Sequence, residues 1–195
     1  MSAMAKAAIN QGAVGVRLDT PSHVQAVRAQ TDKPIIGLWK QQIPGYEVYI
    51  TPRFADAIAI AQAGADIIAI DATARSRPEG ETISNLIPRI KNELGKLVMA
   101  DIDSLENAIA AMEAGADLVG TTLYGYTKET QHLSPPGFSL LTELVKQLDI
   151  PIICEGGIAT PEMAEQALKL GADAVVVGTV ITGVDILVQN FRKLF

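Results

Sequence analysis

The sequence predicts a single-domain α/β protein, a (β/α)8 TIM barrel that lacks its first strand. Three observations lead there. Short β-branched runs alternate with alanine-rich helical stretches along all 195 residues, the pattern of a parallel sheet wrapped by helices. The runs are apolar on both faces, as strands covered by helices should be. A strand–helix–strand–helix unit also recurs, marked by "QGAVGVR" (11–17), "AGADIIAID" (63–71), "AGADLVGTT" (114–122) and "LGADAVVVGT" (170–179). Four copies of such a unit close a barrel more readily than they build an open sheet.

The elements follow in order. The chain opens on a helical stretch, "SAMAKAAINQG", where a barrel should open on a strand. In each marked repeat a helix ends at a glycine and a strand begins. The alternate strands are "KPIIGLWK" (33–40), "KLVMADI" (96–102) and "IPIICEGG" (150–157). Thr51-Pro52, Asp103-Ser104 and Thr160-Pro161 place caps or first-turn prolines ahead of amphipathic stretches. Seven strand runs and eight helical runs result, so the strands are counted as the second to the eighth of a barrel. No linker interrupts residues 1–195, which read as one domain. The second and eighth strands would each carry an unpaired edge, and a partner chain, as in a homodimer, is one way to cover it.

Composition narrows the function. The chain is 48% hydrophobic and 19% charged, hence globular. A net charge of -6 argues against a nucleic-acid partner. No apolar run is long enough to span a bilayer and no signal peptide is visible, so no membrane attachment is expected. The single cysteine, Cys154, fits a reducing cytoplasm. His23, His132 and Cys154 are the only soft ligands, so neither a built-in metal nor another cofactor is expected.

Barrel chemistry sits at the C-terminal strand ends. These carry Arg17, Lys40, Asp71, Asp101, Thr121 with Thr122, Glu155 and Gly178. Five of the seven strands end in a charged residue, where a purely structural sequence would keep its charges on helix faces. Inward side chains come in layers from alternate strands, so Lys40, Asp101 and Glu155 should converge. Plainer roles are open too. Lys40 could be a solvated loop lysine, Glu155 its structural partner, and Arg17 with Asp101 a rim ion pair. Asp71 with Arg75 and Arg77 should shape its loop. Cys154 and Trp39 should pack outward under the helices, His23 and His132 should lie on loops, and Tyr124 and Tyr126 should cover the rim. The last two strand ends carry Gly156-Gly157 and Gly178-Thr179, a pairing suited to a phosphate held by backbone N–H groups.

Taken together, "GAVGVR", "PIIGLWK", "AGADIIAIDAT", "VMADI", "AGADLVGTTLYGYT", "EGGIATPE" and "GADAVVVGTVIT" resemble the N-acetylmannosamine-6-phosphate 2-epimerase family over residues 4 to 185. The resemblance implies an isomerase of sialic acid and amino-sugar catabolism acting on a small sugar phosphate. It implies Lys40 and Glu155 as catalytic residues and Arg17 and Asp101 as substrate-binding residues. It also implies an initial strand bearing a glutamine, and an arginine where this chain has Gly183. Inverting C2 requires a proton to leave and return from the opposite face, and that hydrogen is acidic only beside a carbonyl, as in the ring-opened aldehyde. Lys40 and Glu155 could serve the two faces, or Lys40 alone could act while Glu155 orients. Rival readings are a thiamine-phosphate synthase-like transferase, a pentose-phosphate epimerase, or a non-catalytic sugar-phosphate-binding barrel.

Overall fold

A computed structural model describes residues 1–193. Seven strands form one parallel sheet in chain order: β1 (Val16–Asp19), β2 (Ile35–Leu38), β3 (Ile67–Asp71), β4 (Leu97–Asp101), β5 (Leu118–Gly120), β6 (Ile152–Glu155) and β7 (Ala174–Val176). They are the second to eighth strands anticipated above. Each pairs only with its chain neighbours. Among the described residues no ladder joins β7 to β1, so the barrel stands open on that side. Helices alternate with the strands: α1 (Ser2–Asn10), α2 (Pro21–Arg28), α3 (Phe54–Gln62), α4 (Ile83–Leu94), α5 (Leu105–Glu113), α6 (Phe138–Gln147) and α7 (Pro161–Lys169). After β7 come a single turn, α8 (Thr179–Thr182), and α9 (Val184–Arg192).

Strand alternation sorts the side chains into two apolar layers. Between sheet and helices lie Ile68 and Ile70 of β3, Val98 and Ala100 of β4, and Ile152 and Cys154 of β6, with Leu86, Ile90 and Leu144 from the helices. Trp39 packs on this outer layer as well. Inside the barrel lie Leu38, Ile50, Ala69, Met99, Leu118 and Ile153. The same parity sends Arg17, Lys40, Asp71, Asp101 and Glu155 inward. Gly37 belongs to the outward set. A Cβ there would come within 2.6 Å of Ile60 and 2.8 Å of Ala65, so the glycine lets α3 approach β2.

The recurrent "GAD" does more than end a helix. Gly64, Gly115 and Gly171 hold φ of 101°, 95° and 103°, a left-handed conformation that glycine adopts without strain. The aspartate two residues on directly precedes a strand and accepts an N–H near the start of the strand before it. Asp66 accepts from Ile35 at 2.9 Å, Asp117 from Val98 at 2.8 Å and Asp173 from Ile152 at 2.8 Å. Their own N–H groups return bonds to the carbonyls of Ile35, Val98 and Ile152. The repeat therefore clamps the bottom of β2 to β3, β4 to β5 and β6 to β7, which sets the height at which each strand delivers its tip.

Two anticipated caps form: Ser104 accepts from Asn107 N–H, and Thr160 accepts from Met163 N–H ahead of Pro161. The third does not. Thr51 sits at φ 44° and its hydroxyl joins two tips, donating to Ala69 O at 2.7 Å and accepting from Trp39 N–H at 3.1 Å. A tertiary contact has displaced the local cap, and α3 starts three residues later.

Removing one clamp tests the scheme. Asp173→Ala should lose about 1–2 kcal/mol, since it leaves a strand N–H without its charged acceptor. Thermal unfolding should fall by a few degrees, and an unchanged transition would show that the ladder alone holds β6 and β7 in register.

Candidate active site

Three strands deliver one ion cluster to the mouth. Arg17 from β1 is 7% exposed in its side chain, Asp101 from β4 is fully buried, and Glu155 from β6 is 17% exposed. Arg17 forms a two-pronged pair with Asp101, Nη1 to Oδ1 at 2.9 Å and Nη2 to Oδ2 at 2.6 Å. Its Nη1 also donates to Glu155 Oε2 at 2.7 Å. Thr122 donates to Asp101 Oδ1 at 2.6 Å. Space for this cluster comes from Gly120, whose Cβ would stand 2.3 Å from the Met99 methyl and 3.4 Å from Asp101 Oδ1.

The electrostatics follow from one cation serving two carboxylates. Burial lowers the affinity of Arg17 for its proton, but Asp101 and Glu155 outweigh that and the net shift is upward. Glu155 is pushed up to about 7, first by burial and then by the charge of Asp101, against the opposing pull of Arg17 and Lys40. A carboxyl at that level exchanges its proton near neutral pH.

Lys40 enters from the end of β2. Its backbone N–H donates to Asp19 Oδ1 at 2.9 Å, and a bridge to Ile50 fixes its strand direction. Its ammonium group forms no hydrogen bond or ion pair among the described residues, yet its charge reaches Glu155. Lys40 thus places a cation at the mouth without a polar partner among the described residues.

Of the two threonines singled out in the sequence, only Thr122 joins the cluster. Thr121 points outward by alternation, touches Cys154, accepts Glu155 N–H at 3.0 Å and donates to Glu155 O at 2.8 Å. It holds the backbone of Glu155 and does not reach the mouth. Burial raises the Cys154 thiol pKa, and the Thr121 contact only partly offsets this. His23 bonds the carbonyl of Asp19 through Nδ1, and His132 is exposed.

The glycine pairs close the other side. Gly156 and Gly157 have φ of 97° and 71°. A Cβ on Gly157 would lie 2.6 Å from Pro135, so the loop after β5 packs directly on this turn. The N–H groups of Gly156, Gly157, Gly178 and Thr179 donate no hydrogen bond among the described residues. Gly183 ends α8, and a Cβ there would lie 2.7 Å from Thr179 O. Sequence reasoning missed Tyr49, which packs on the inner apolar layer from the loop after β2; nothing in its local pattern separates it from a loop aromatic.

Known proteins resemble the chain over its whole length. The family model described as "Putative N-acetylmannosamine-6-phosphate epimerase" matches residues 1–195. A relative from Thermosynechococcus vestitus, named "Putative N-acetylmannosamine-6-phosphate 2-epimerase", is 66% identical over 191 residues, covering 98% of this chain and 83% of its own. One of the same name from Listeria welshimeri is 44% identical over 194 residues, covering 98% and 82%. The solved N-acetylmannosamine-6-phosphate 2-epimerase from Clostridium perfringens superposes with a TM-score of 0.94 at 39% identity, over 100% of this chain and 84% of that one. A thiamine phosphate pyrophosphorylase from Pyrococcus furiosus, at TM-score 0.64 and 20% identity over 91% and 79%, shares the fold alone.

The raised Glu155 has a thermodynamic signature. Folded Glu155 titrates at about 7 and unfolded at 4.5. Between those values the folded state binds more protons, so this group's contribution is greatest below 4.5 and falls as pH rises through 7. Glu155→Gln fixes the neutral form. The stability of wild type relative to this variant should therefore decline from pH 4.5 to 7.5, by up to about 3 kcal/mol. Denaturant titrations at several pH values measure it, and a flat difference would remove the assigned shift.

Proposed function

The chain belongs to the N-acetylmannosamine-6-phosphate epimerase family, and we propose that it interconverts N-acetylmannosamine 6-phosphate and N-acetylglucosamine 6-phosphate by moving a proton off and onto C2. The carrying observation is Glu155, poised near neutrality beside the Arg17 that it shares with Asp101 and within reach of the charge of Lys40. β2 and β6 lie four positions apart in the sheet order, so their tips address a substrate from opposite sides.

The chemistry follows from that opposition. In the ring-opened aldehyde, C1 is a carbonyl and the C2 proton can leave as an enolate forms, with its negative charge on the C1 oxygen. Lys40 as the neutral amine takes the proton from one face and becomes the ammonium, while Glu155 in its acid form returns one to the other and becomes the carboxylate; in the reverse reaction the carboxylate takes the proton and the ammonium returns it. The Arg17 guanidinium, already fixed by Asp101, meets the oxyanion without reorganising. Asp101 and Thr122 hold Arg17 in place, and Thr121 holds Glu155 through its backbone. Moving a proton off and onto C2 changes no oxidation state, so this route calls on no redox cofactor. The phosphate is assigned to the backbone N–H groups of Gly156, Gly157, Gly178 and Thr179, which leaves Gly183 to act through backbone alone.

The reading places the enzyme in sialic acid and amino-sugar catabolism, in the cytoplasm, acting on a small molecule without nucleic acid or membrane. No helix among the described residues is long and apolar enough to cross a membrane. A homodimer is the assembly we assign, because the exposed Ile181, Val184, Val188 and Phe191 of the α8–α9 segment offer an uncovered apolar surface.

Lys40→Ala should lower kcat by about 10²–10⁴-fold with the fold retained by circular dichroism. Incubation of wild type with N-acetylmannosamine 6-phosphate in heavy water should place deuterium at C2. A folded variant keeping more than a few per cent of kcat would exclude Lys40 from proton transfer, and absence of C2 exchange in wild type would exclude the epimerase reading itself.

A further inference from the structure

Lys40 is the reacting group whose side chain has the least support. Its Nζ makes no hydrogen bond or ion pair among the described residues, so its place is set by the backbone that carries it. A lysine stem is flexible, and a misplacement of about 1 Å can cost about 100-fold in rate. What holds the backbone of residue 40 therefore bears on catalysis.

The ladder between β1 and β2 stops one bond short of it. Thr20 N–H donates to Leu38 O at 2.9 Å, and in a parallel ladder the next bond would run from Lys40 N–H to the carbonyl of Thr20. That carbonyl is already engaged, because it accepts Val24 N–H at 3.1 Å as the first bond of α2. Thr20 has left the strand to cap the helix, with φ at 76° and its hydroxyl accepting His23 N–H at 3.4 Å. Asp19 takes over the lost bond. Its Oδ1 accepts Lys40 N–H at 2.9 Å, and its own carbonyl accepts from His23 Nδ1 at 2.9 Å. Alternation from Arg17 turns the Asp19 side chain inward.

Residues 49–51 grip the other side. Thr51 N–H donates to Trp39 O at 2.8 Å, Gln41 N–H donates to Tyr49 O at 2.8 Å, and the Thr51 hydroxyl accepts Trp39 N–H at 3.1 Å. Three non-glycine residues hold a positive φ among the described residues. Two of them, Thr20 at 76° and Thr51 at 44°, bond the two residues that precede Lys40. A β-branched residue enters that region only under constraint, and such constraint collects where a functional group has to be held. The bond from Lys40 N–H to Asp19 lies at an exposed strand end, where water also satisfies an N–H. Stability alone does not call for a carboxylate there.

We propose that Asp19 is a positioning residue for the reaction: its side-chain oxygen replaces the lost ladder carbonyl, and so fixes residue 40 and the direction from which Lys40 Nζ addresses C2. The inference rests on the epimerase reading above. Asp19 acts through Lys40 and touches no substrate group, and what it supplies is an acceptor in the right place, not a charge.

Three variants separate the acceptor from the charge. Asp19→Asn keeps an oxygen at Oδ1 and removes the charge. Asp19→Ala removes both, and Asp19→Glu keeps the charge but carries the acceptor one methylene further out. With N-acetylmannosamine 6-phosphate as substrate, kcat should stay within about threefold of wild type in Asp19→Asn. It should fall about 10–100-fold in Asp19→Ala and Asp19→Glu, with KM within about twofold throughout and melting within a few degrees of wild type. An unchanged kcat in Asp19→Ala, an equal loss in Asp19→Asn, or a KM that rises in step with the fall in kcat overturns the positioning role, while wild-type turnover leaves the epimerase reading standing. Wild type without turnover overturns both. Where Asp19→Ala fails to fold, the contrast between Asp19→Asn and Asp19→Glu decides the matter.

Discussion

One guanidinium held between two carboxylates is the constraint on which the mouth of this barrel depends. Arg17, Asp101 and Glu155 come from β1, β4 and β6, so their contacts fix the spacing of strands that are not neighbours. Breaking a buried pair of this kind leaves an uncompensated charge, which is more damaging than never having built it. The surroundings are arranged accordingly. Gly120 vacates the space, Met99 lines it, Thr122 takes one Asp101 oxygen and Thr121 takes both backbone groups of Glu155. The cluster is asymmetric as a result. Asp101 receives three short bonds and Glu155 one, and burial, with the charge of Asp101, raises the proton affinity of Glu155 to about neutrality.

That asymmetry also distinguishes the two cations. Arg17 is fully engaged and its charge is used in place, whereas Lys40 is anchored by its backbone and free at its tip. A guanidinium suits a fixed, two-pronged electrostatic role, and an ammonium suits one that exchanges protons. Pairing Glu155 with Lys40, the plainer structural reading, would have neutralised both candidate acid–base groups. The fold pairs Glu155 with Arg17 instead.

Most of the frame was legible in the sequence because it rests on local rules. The glycine-ended helices, the seven apolar runs and the inward parity of Lys40, Asp101 and Glu155 all follow from periodicities of 3.6 and 2. What escaped depends on contacts between segments. The aspartates of "GAD" read as strand starts, but their partners Ile35, Val98 and Ile152 lie in other strands. Thr51 reads as a cap until β2 and β3 claim its hydroxyl. Thr121 and Thr122 read as one tip, and alternation from inward Leu118 through Gly120 turns Thr121 outward and only Thr122 inward. Tyr49 has no signal at all, since its place depends on a loop folding back onto Asp71.

The apolar wall of the barrel explains why so few charges suffice. Inside, Leu38, Ile50, Met99 and Ile153 form a floor beneath Asp101 and Glu155, so no water approaches these groups through the floor. A ligand that covers the mouth shields them from above as well. Each remaining interaction then strengthens, because attraction between fixed charges grows as the local dielectric falls. For a reaction whose difficulty is a single developing oxyanion beside C2, this matters more than the number of groups present. In the proposed reaction the cation that meets the oxyanion is already oriented by Asp101, and the acid that returns the proton is already near its transfer point. Closing the mouth therefore raises the electrostatic contribution without moving a side chain, and the stiffness of the Arg17–Asp101 pair is what makes that possible.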